Sequence, residues 1–436
     1  VNIAYVRMVI IYLLKKRGVF MNKNFFITNR KHLGEVLCDN SMAIFFAGQP
    51  PYKSADETYP FVPNRNFYYL TGIDEEKVIM MMTKINGKIS EILFIQENDP
   101  IMARWVGETI YEEEAEEVSG IEDIRLLNDF ESTIGSYLNR FNIEKIYLDL
   151  ERQEFEIAST PAQNFSKEVV KRYPYIRVKN IYHDVALLRT VKSEEEIELL
   201  KKAIEITYDG IKEMWKNAKP GMAEYEVEAH FNYELKKNGV KDFSFPTIAA
   251  SGMNATVLHY DYNNSIIKDG DLMLLDLGAQ YKYYSGDISR TFPVNGKFTD
   301  RQKEVYNIVL EANETVMKAV KPGVTAMDLQ NLAKKILAEG CKRIGLIEED
   351  SEIDKYYFHG VSHPLGLDTH DVGPRNIELK AGMVITDEPG LYIEEEGIGV
   401  RIEDDILVTS DGYLNLSAQI IKSVEDIEDY MSKNNK

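Results

Sequence analysis

Apolar and polar positions change period several times along the chain, and those changes lay out its elements. After Ser193, the residues Ile197, Leu200, Ile204, Tyr208, Ile211 and Trp215 recur at spacings of three and four. That spacing predicts a long helix with one buried stripe, ended by Pro220-Gly221. Ser193 with Glu196 three residues on forms a capping box, in which each side chain satisfies a free backbone donor of the first turn. Helical spacing returns from about Ala223 to Lys237, at about 299 to 318, and from Ala326 to Ile344, where Val324-Thr325 after Pro322-Gly323 supplies a start. Between these lie strand patterns at Leu272 to Leu277, Tyr281 to Tyr284 and Ile288 to Val294.

The first third alternates strands and helices from about residue 40. Two apolar runs, Val78 to Ile85 and Lys88 to Ile95, flank Asn86-Gly87, the dipeptide that best tolerates positive φ at both turn positions, so a hairpin is predicted. Ile146 to Leu150 gives another strand, and the acidic run Glu112 to Glu117 reads as a solvated helix face. At 436 residues the chain is too long for one ordinary core. The change of pattern near residues 180 to 192 predicts an α/β (α+β) protein of two domains, 21–185 and 186–436. Residues 1–20 read as an upstream extension ahead of Met21.

Composition narrows the class. A hydrophobic content of 44% with 28% charged residues of interspersed sign is that of a folded globular chain. The net charge of −20 repels phosphate backbones, and no basic face offsets it, so no nucleic-acid partner is expected. Only Cys38 and Cys341 occur, far apart, which fits neither a disulfide framework nor a cysteine zinc site and suggests a cytoplasmic location. The apolar stretch Met8 to Leu14 is too short to span a bilayer, and no membrane partner is expected.

The candidate chemistry lies in the second half. Asp276 closes the apolar run from Leu272, where an ionised carboxylate needs compensation from a buried arginine, a proton or a metal. Asp287 follows eleven residues later on what should be the next strand. Two carboxylates facing each other in an apolar sheet call for a multivalent cation. The stretch His359 to His370 holds three of the seven histidines, His359, His363 and His370, among glycines that let a ligand approach. Glu388 and Glu403 stand in strand-like segments beside turn residues. Four carboxylates and one imidazole form an oxygen-rich donor set that suits manganese and can also take cobalt, iron or zinc, and a pair of divalent ions fits it better than one.

These segments, together with Glu388-Pro389-Gly390-Leu391-Tyr392 and Gly397-Ile398-Gly399-Val400-Arg401-Ile402-Glu403-Asp404-Asp405, closely resemble the pita-bread metallopeptidases, the family of methionine aminopeptidase, prolidase and aminopeptidase P. The resemblance runs from about Met21 to Asp429 and is nearest to the aminopeptidase P branch. It implies an N-terminal mixed αβ domain, for which Arg65 to Gly72 is similar, and a C-terminal pita-bread catalytic domain around a curved, mainly antiparallel sheet. It implies that Asp276, Asp287, His363, Glu388 and Glu403 hold two divalent metals, with Asp287 and Glu403 bridging. It further implies that His259 and His370 contact the substrate or intermediate and that Glu388 shuttles a proton. His359 would line the proline pocket, Arg401 would meet the peptide beyond the scissile bond, and Tyr260 beside His259 would join in substrate binding. Trp105, in Arg104-Trp105-Val106-Gly107, resembles a tryptophan that reaches a neighbouring subunit, in a homodimer or homotetramer.

The activity so implied is removal of the first residue from peptides with N-terminal Xaa-Pro. Two other readings stay open on the residues alone. One is prolidase, which prefers Xaa-Pro dipeptides, although Ser362 stands where prolidase would have glycine. The other is a non-catalytic peptide-binding protein on the same scaffold.

Overall fold

A computed structural model describes residues 21–434 apart from 152–153 and 375–376, so the N-terminal extension lies outside the described residues. The chain forms two compact units, one ending at Arg189 and one beginning at Thr190.

The first unit is built on a six-stranded sheet. Its strands are β1 (Ser41–Phe46), β2 (Ile79–Ile85), β3 (Lys88–Ile95), β4 (Ile124–Leu126), β5 (Lys145–Leu148) and β6 (Arg177–Asn180), in the order β4-β3-β2-β1-β5-β6. The three central strands β3, β2 and β1 pair antiparallel, whereas β4, β5 and β6 join parallel to their neighbours. The β2–β3 hairpin turns at Asn86 and Gly87, with φ of 49° and 74°, as the dipeptide predicts. Met42, Ile44, Met81, Phe94, Ile146 and Leu148 form its core with Phe130 and Ile134 of the helix Phe130–Arg140. The acidic run lies in a helix, Glu112–Ser119. Trp105 stands 80% exposed on a one-turn helix, so it fills no core in its own chain.

The second unit opens with α1 (Glu194–Asn217), whose capping box forms with Ser193 and Glu196 as read from sequence. After α2 (Glu224–Lys237) come β7 (Ile248–Ser251), β8 (Leu272–Leu277) and β11 (Ile288–Pro293), antiparallel in the order β11-β8-β7. The segment Tyr281 to Tyr284, expected to be one strand, is instead the tip of a two-residue hairpin between β9 (Gln280–Tyr281) and β10 (Tyr284–Ser285). Lys282 and Tyr283 turn the corner at positive φ, 52° and 69°. Neither residue is a usual turn former, so the sequence carried no signal of it.

Helices α3 (Asp300–Ala319) and α4 (Ala326–Arg343) follow, both with threonine-led capping boxes. The rest is antiparallel: β12 (Val384–Asp387) pairs with β15 (Asp404–Val408) and that with β16 (Tyr413–Asn415), while β13 (Gly390–Ile393) pairs with β14 (Ile398–Arg401). Helix α5 (Val424–Asn434) closes the chain. Among the described residues, no helix is long and apolar enough to cross a membrane.

Candidate active site

The β8–β11 ladder fixes the first two carboxylates. Asp276 pairs with Ser289 across it, and Asp287 sits just before β11. The return between them is tight. A Cβ on Gly278 would lie 1.8 Å from the carbonyl oxygen of Gly286, so only glycine permits the close approach. Thr207 of α1 braces the return by accepting from the Ala279 amide at 2.8 Å.

The histidine stretch is held against β12 by backbone bonds. Thr386 N donates to His363 O and Glu388 N to Val361 O, both at 2.9 Å, which brings His363 beside Glu388. Glu403 follows β14, and its amide donates to Ser289 O at 3.1 Å. Ligand atoms of Asp287, His363 and Glu403 thus lie within 4.8 Å of one another. His363 Nε2 is 3.4 Å from Asp287 Oδ2 and 3.5 Å from Glu388 Oε1.

Burial and mutual repulsion push Asp287 and Glu403 well above the usual carboxylate range. Burial likewise raises Glu388 to about 7, against the pull of His363. Asp276 realises one of the compensations open to it: Arg401 Nη2 donates to its Oδ2 at 2.6 Å. Its Oδ1 stays buried without a hydrogen-bond partner. A cluster of repelling carboxylates, one oxygen of which lacks any donor, fits a divalent cation in chemistry and in charge.

Two imidazoles use the same device to opposite ends. His363 Nδ1 faces Pro364 O at 3.0 Å and His359 Nδ1 faces Gly360 O at 2.8 Å, so each carries its proton on Nδ1. The Nε2 lone pair of His363 therefore points among the carboxylates. That of His359 is taken by the Tyr392 hydroxyl at 2.8 Å, and burial, seconded by the Arg401 charge, lowers the His359 pKa to about 3.

Asp276, Asp287, His363, Glu388 and Glu403 line one cavity of about 880 Å³ together with His259, His359, His370 and Arg401. The His370 ring stands edge-on to His363, centroids 4.4 Å apart. Arg401, expected to meet the peptide, lines the cavity yet is 1% exposed, and its three nitrogens bond Asp276, Ser289 and Tyr392. Tyr260 does not line the cavity; its hydroxyl donates to Glu224 at 2.8 Å.

Sequence reading missed Ser289, whose Oγ accepts from Arg401 and donates to Glu403 Oε2 at 2.8 Å, and missed Tyr392, which joins Arg401 to His359. Both had a signal. Ser289 lies two residues after Asp287 and Tyr392 four after Glu388, and even spacing along extended backbone repeats a face.

Buried carboxylates about one metal-ready imidazole, most of them just beyond the ends of antiparallel strands, fit a metal-dependent hydrolase, and the chain belongs to metallopeptidase family M24. Residues 198–410 match that family, and residues 26–147 match the family described as aminopeptidase P, N-terminal domain. The chain is 34% identical to the Xaa-Pro aminopeptidase of Escherichia coli (strain K12) over 93% of its length and 97% of that protein's. A Bacillus anthracis structure provisionally described as an aminopeptidase P superposes with TM-score 0.94 at 53% identity, over 95% of this chain and 99% of that one. The E. coli aminopeptidase P with the inhibitor Pro-Leu superposes with TM-score 0.87 at 33% identity, again over 95% and 99%.

Proposed function

We propose that the protein releases the first amino acid from peptides with proline in second place, using two divalent metal ions, manganese before cobalt, iron or zinc. The observation that carries this reading is the complete donor set in one cavity: Asp276, Asp287, Glu388, Glu403 and the free Nε2 of His363. When bound, the metals supply an acidified water and positive charge for the oxyanion. Asp276, Asp287, His363, Glu388 and Glu403 would hold them.

The chain's own groups do the rest. Water oxygen bonds to the carbonyl carbon before proline, the C–N bond breaks, and the proline nitrogen takes up a proton. Glu388, which lines the cavity with one carboxylate oxygen 3.5 Å from His363 Nε2, would hold that proton and pass it on. His259 and His370 line the cavity where the developing oxyanion would stand. Neutral His359 offers a ring edge and no charge to the apolar proline.

Exposed Ile101, Trp105 and Val106 support a contact with another copy, in a homodimer or homotetramer that light scattering would detect. Both cysteines are free thiols, in keeping with a reducing cytoplasm. The two-unit division supports domains of 21–185 and 186–436.

The test is hydrolysis of Arg-Pro-Pro-Gly-Phe beside Ala-Pro, with and without manganese, followed by mass. Free arginine released with manganese is the expected result. Cleavage of the dipeptide alone would make the protein a prolidase, and cleavage of neither would overturn the reading.

A further inference from the structure

We propose that Glu224 is a positioning residue for the reaction, holding the segment that carries His259; the inference rests on the function proposed above. Glu224 opens α2 and is fully buried, yet it belongs to no ion pair among the described residues. Its carboxylate is saturated by hydrogen bonds. Oε1 accepts from Ser251 N and Ser251 Oγ, both at 2.7 Å, and from Asn254 Nδ2 at 2.9 Å. Oε2 accepts from the Tyr260 hydroxyl at 2.8 Å and from Ser265 N at 3.0 Å. All five donors come from residues 251–265, at both ends and at Tyr260, beside His259.

One turn along α2, Glu228 repeats the arrangement on a smaller scale. Its Oε2 accepts from Asn263 Nδ2 at 2.9 Å, and Asn263 Oδ1 accepts from Ala249 N at 2.9 Å. The other flank of His259 is held by packing, since Leu258 and Tyr260 rest on Ile248, Ala250, Ala255, Leu274 and Tyr392. Exposed His259 thus faces the cavity from a loop whose two neighbours in sequence are fixed from below.

An acceptor-only group is needed here. Ser251 N and Asn254 Nδ2 on one oxygen, and Ser265 N on the other, can only donate. A glutamine in place of Glu224 would set its own amide donor against one of these sides in either orientation. The loop would shift, and a displacement on the order of 1 Å of a group that contacts the reacting atoms costs about 100-fold in rate.

The experiment is a double-mutant cycle on the manganese-loaded enzyme with Arg-Pro-Pro-Gly-Phe, using Glu224→Gln, Tyr260→Phe and His259→Ala singly and in pairs. We expect Glu224→Gln to lower kcat by about 10- to 100-fold in the wild type and by less than about twofold in the His259→Ala background, because a strut has nothing to position once the imidazole is gone. Tyr260→Phe removes one bond of the five and should show the same coupling on a smaller scale; it decides the matter if Glu224→Gln does not fold. Amide exchange of residues 251–265 in the metal-free protein should quicken in both variants. Equal losses in the two backgrounds, or a His259→Ala enzyme as fast as wild type, would overturn the assignment. A wild-type enzyme inactive on the peptide would overturn the function itself instead.

Discussion

Asp276 and Arg401 stand 125 positions apart in sequence and form a buried ion pair, Arg401 Nη2 lying 2.6 Å from Asp276 Oδ2. The pair leaves Asp276 Oδ1 without a hydrogen-bond partner and spreads the remaining guanidinium bonds over Ser289 and Tyr392. Replacing Arg401 by methionine removes the cation that offsets the carboxylates and the fork that orients them. Metal affinity, measured by calorimetric titration, should fall by about 10- to 100-fold. Arg401→Lys should recover only part, because an ammonium cannot reproduce three directed bonds. Unchanged affinity in Arg401→Met would contradict this role.

The metal-free centre stores repulsion. Asp287→Asn removes one buried carboxyl from the group, and the metal-free variant should melt higher than wild type at pH 8, by about 2–4 °C for each kcal/mol relieved. The same variant should hydrolyse nothing. A calorimetric scan after chelation checks the first part, and a melting point below that of the wild type would refute it.

Stability should also slope with pH in an unusual direction. Glu388 and Glu196 are both raised from 4.5 to about 7, chiefly by burial. The folded state therefore binds protons that the unfolded state has released, and stability falls as pH rises between about 4.5 and 7. Two groups act oppositely: His359, lowered from 6.5 to about 3 by burial, between those values, and Asp404, held near 2 by Arg290 and Lys422 against its burial, below about 4; above pH 5 the two raised carboxyls outweigh the one imidazole. Metal-free protein should thus melt higher at pH 5 than at pH 8, and manganese should reverse the order because metal binding requires the deprotonated ligands. A metal-free melting point that climbs from pH 5 to pH 8 would rule this out.

Gly278 sets the spacing of the two aspartates. Gly278→Ala places a methyl 1.8 Å from Gly286 O, which the backbone must relieve by opening the return. We expect a loss of about 3 kcal/mol or more in chemical denaturation. Metal content after dialysis should fall with it, since Asp276 and Asp287 lie at the two ends of that return. A variant with native stability would show that the return tolerates displacement.

Local signals carried much of this fold into the sequence. Asn86-Gly87 names its own turn, and Ser193 with Glu196 names the start of a helix, because each depends on residues within four positions. The candidate ligands were legible for a related reason: a buried aspartate in an apolar run and three close histidines are conspicuous by type. What stayed hidden depends on distant partners. Nothing near Arg401 announces that its guanidinium is spent on Asp276, and nothing near Tyr260 announces Glu224, thirty-six positions earlier. The Lys282-Tyr283 corner was hidden too, since two residues with side chains adopt there a backbone that usually selects asparagine or glycine.

The contrast between His363 and His359 bears on which ions the protein can acquire. Imidazole nitrogen is the donor that copper, nickel and zinc compete for most strongly, and a cavity presenting two open imidazoles would favour them over manganese. The Tyr392 hydroxyl occupies the one lone pair of His359, which takes that nitrogen out of the competition. Tyr392→Phe would uncover that lone pair, and the variant is expected to retain more zinc relative to manganese than the wild type after loading with both, as metal analysis would show.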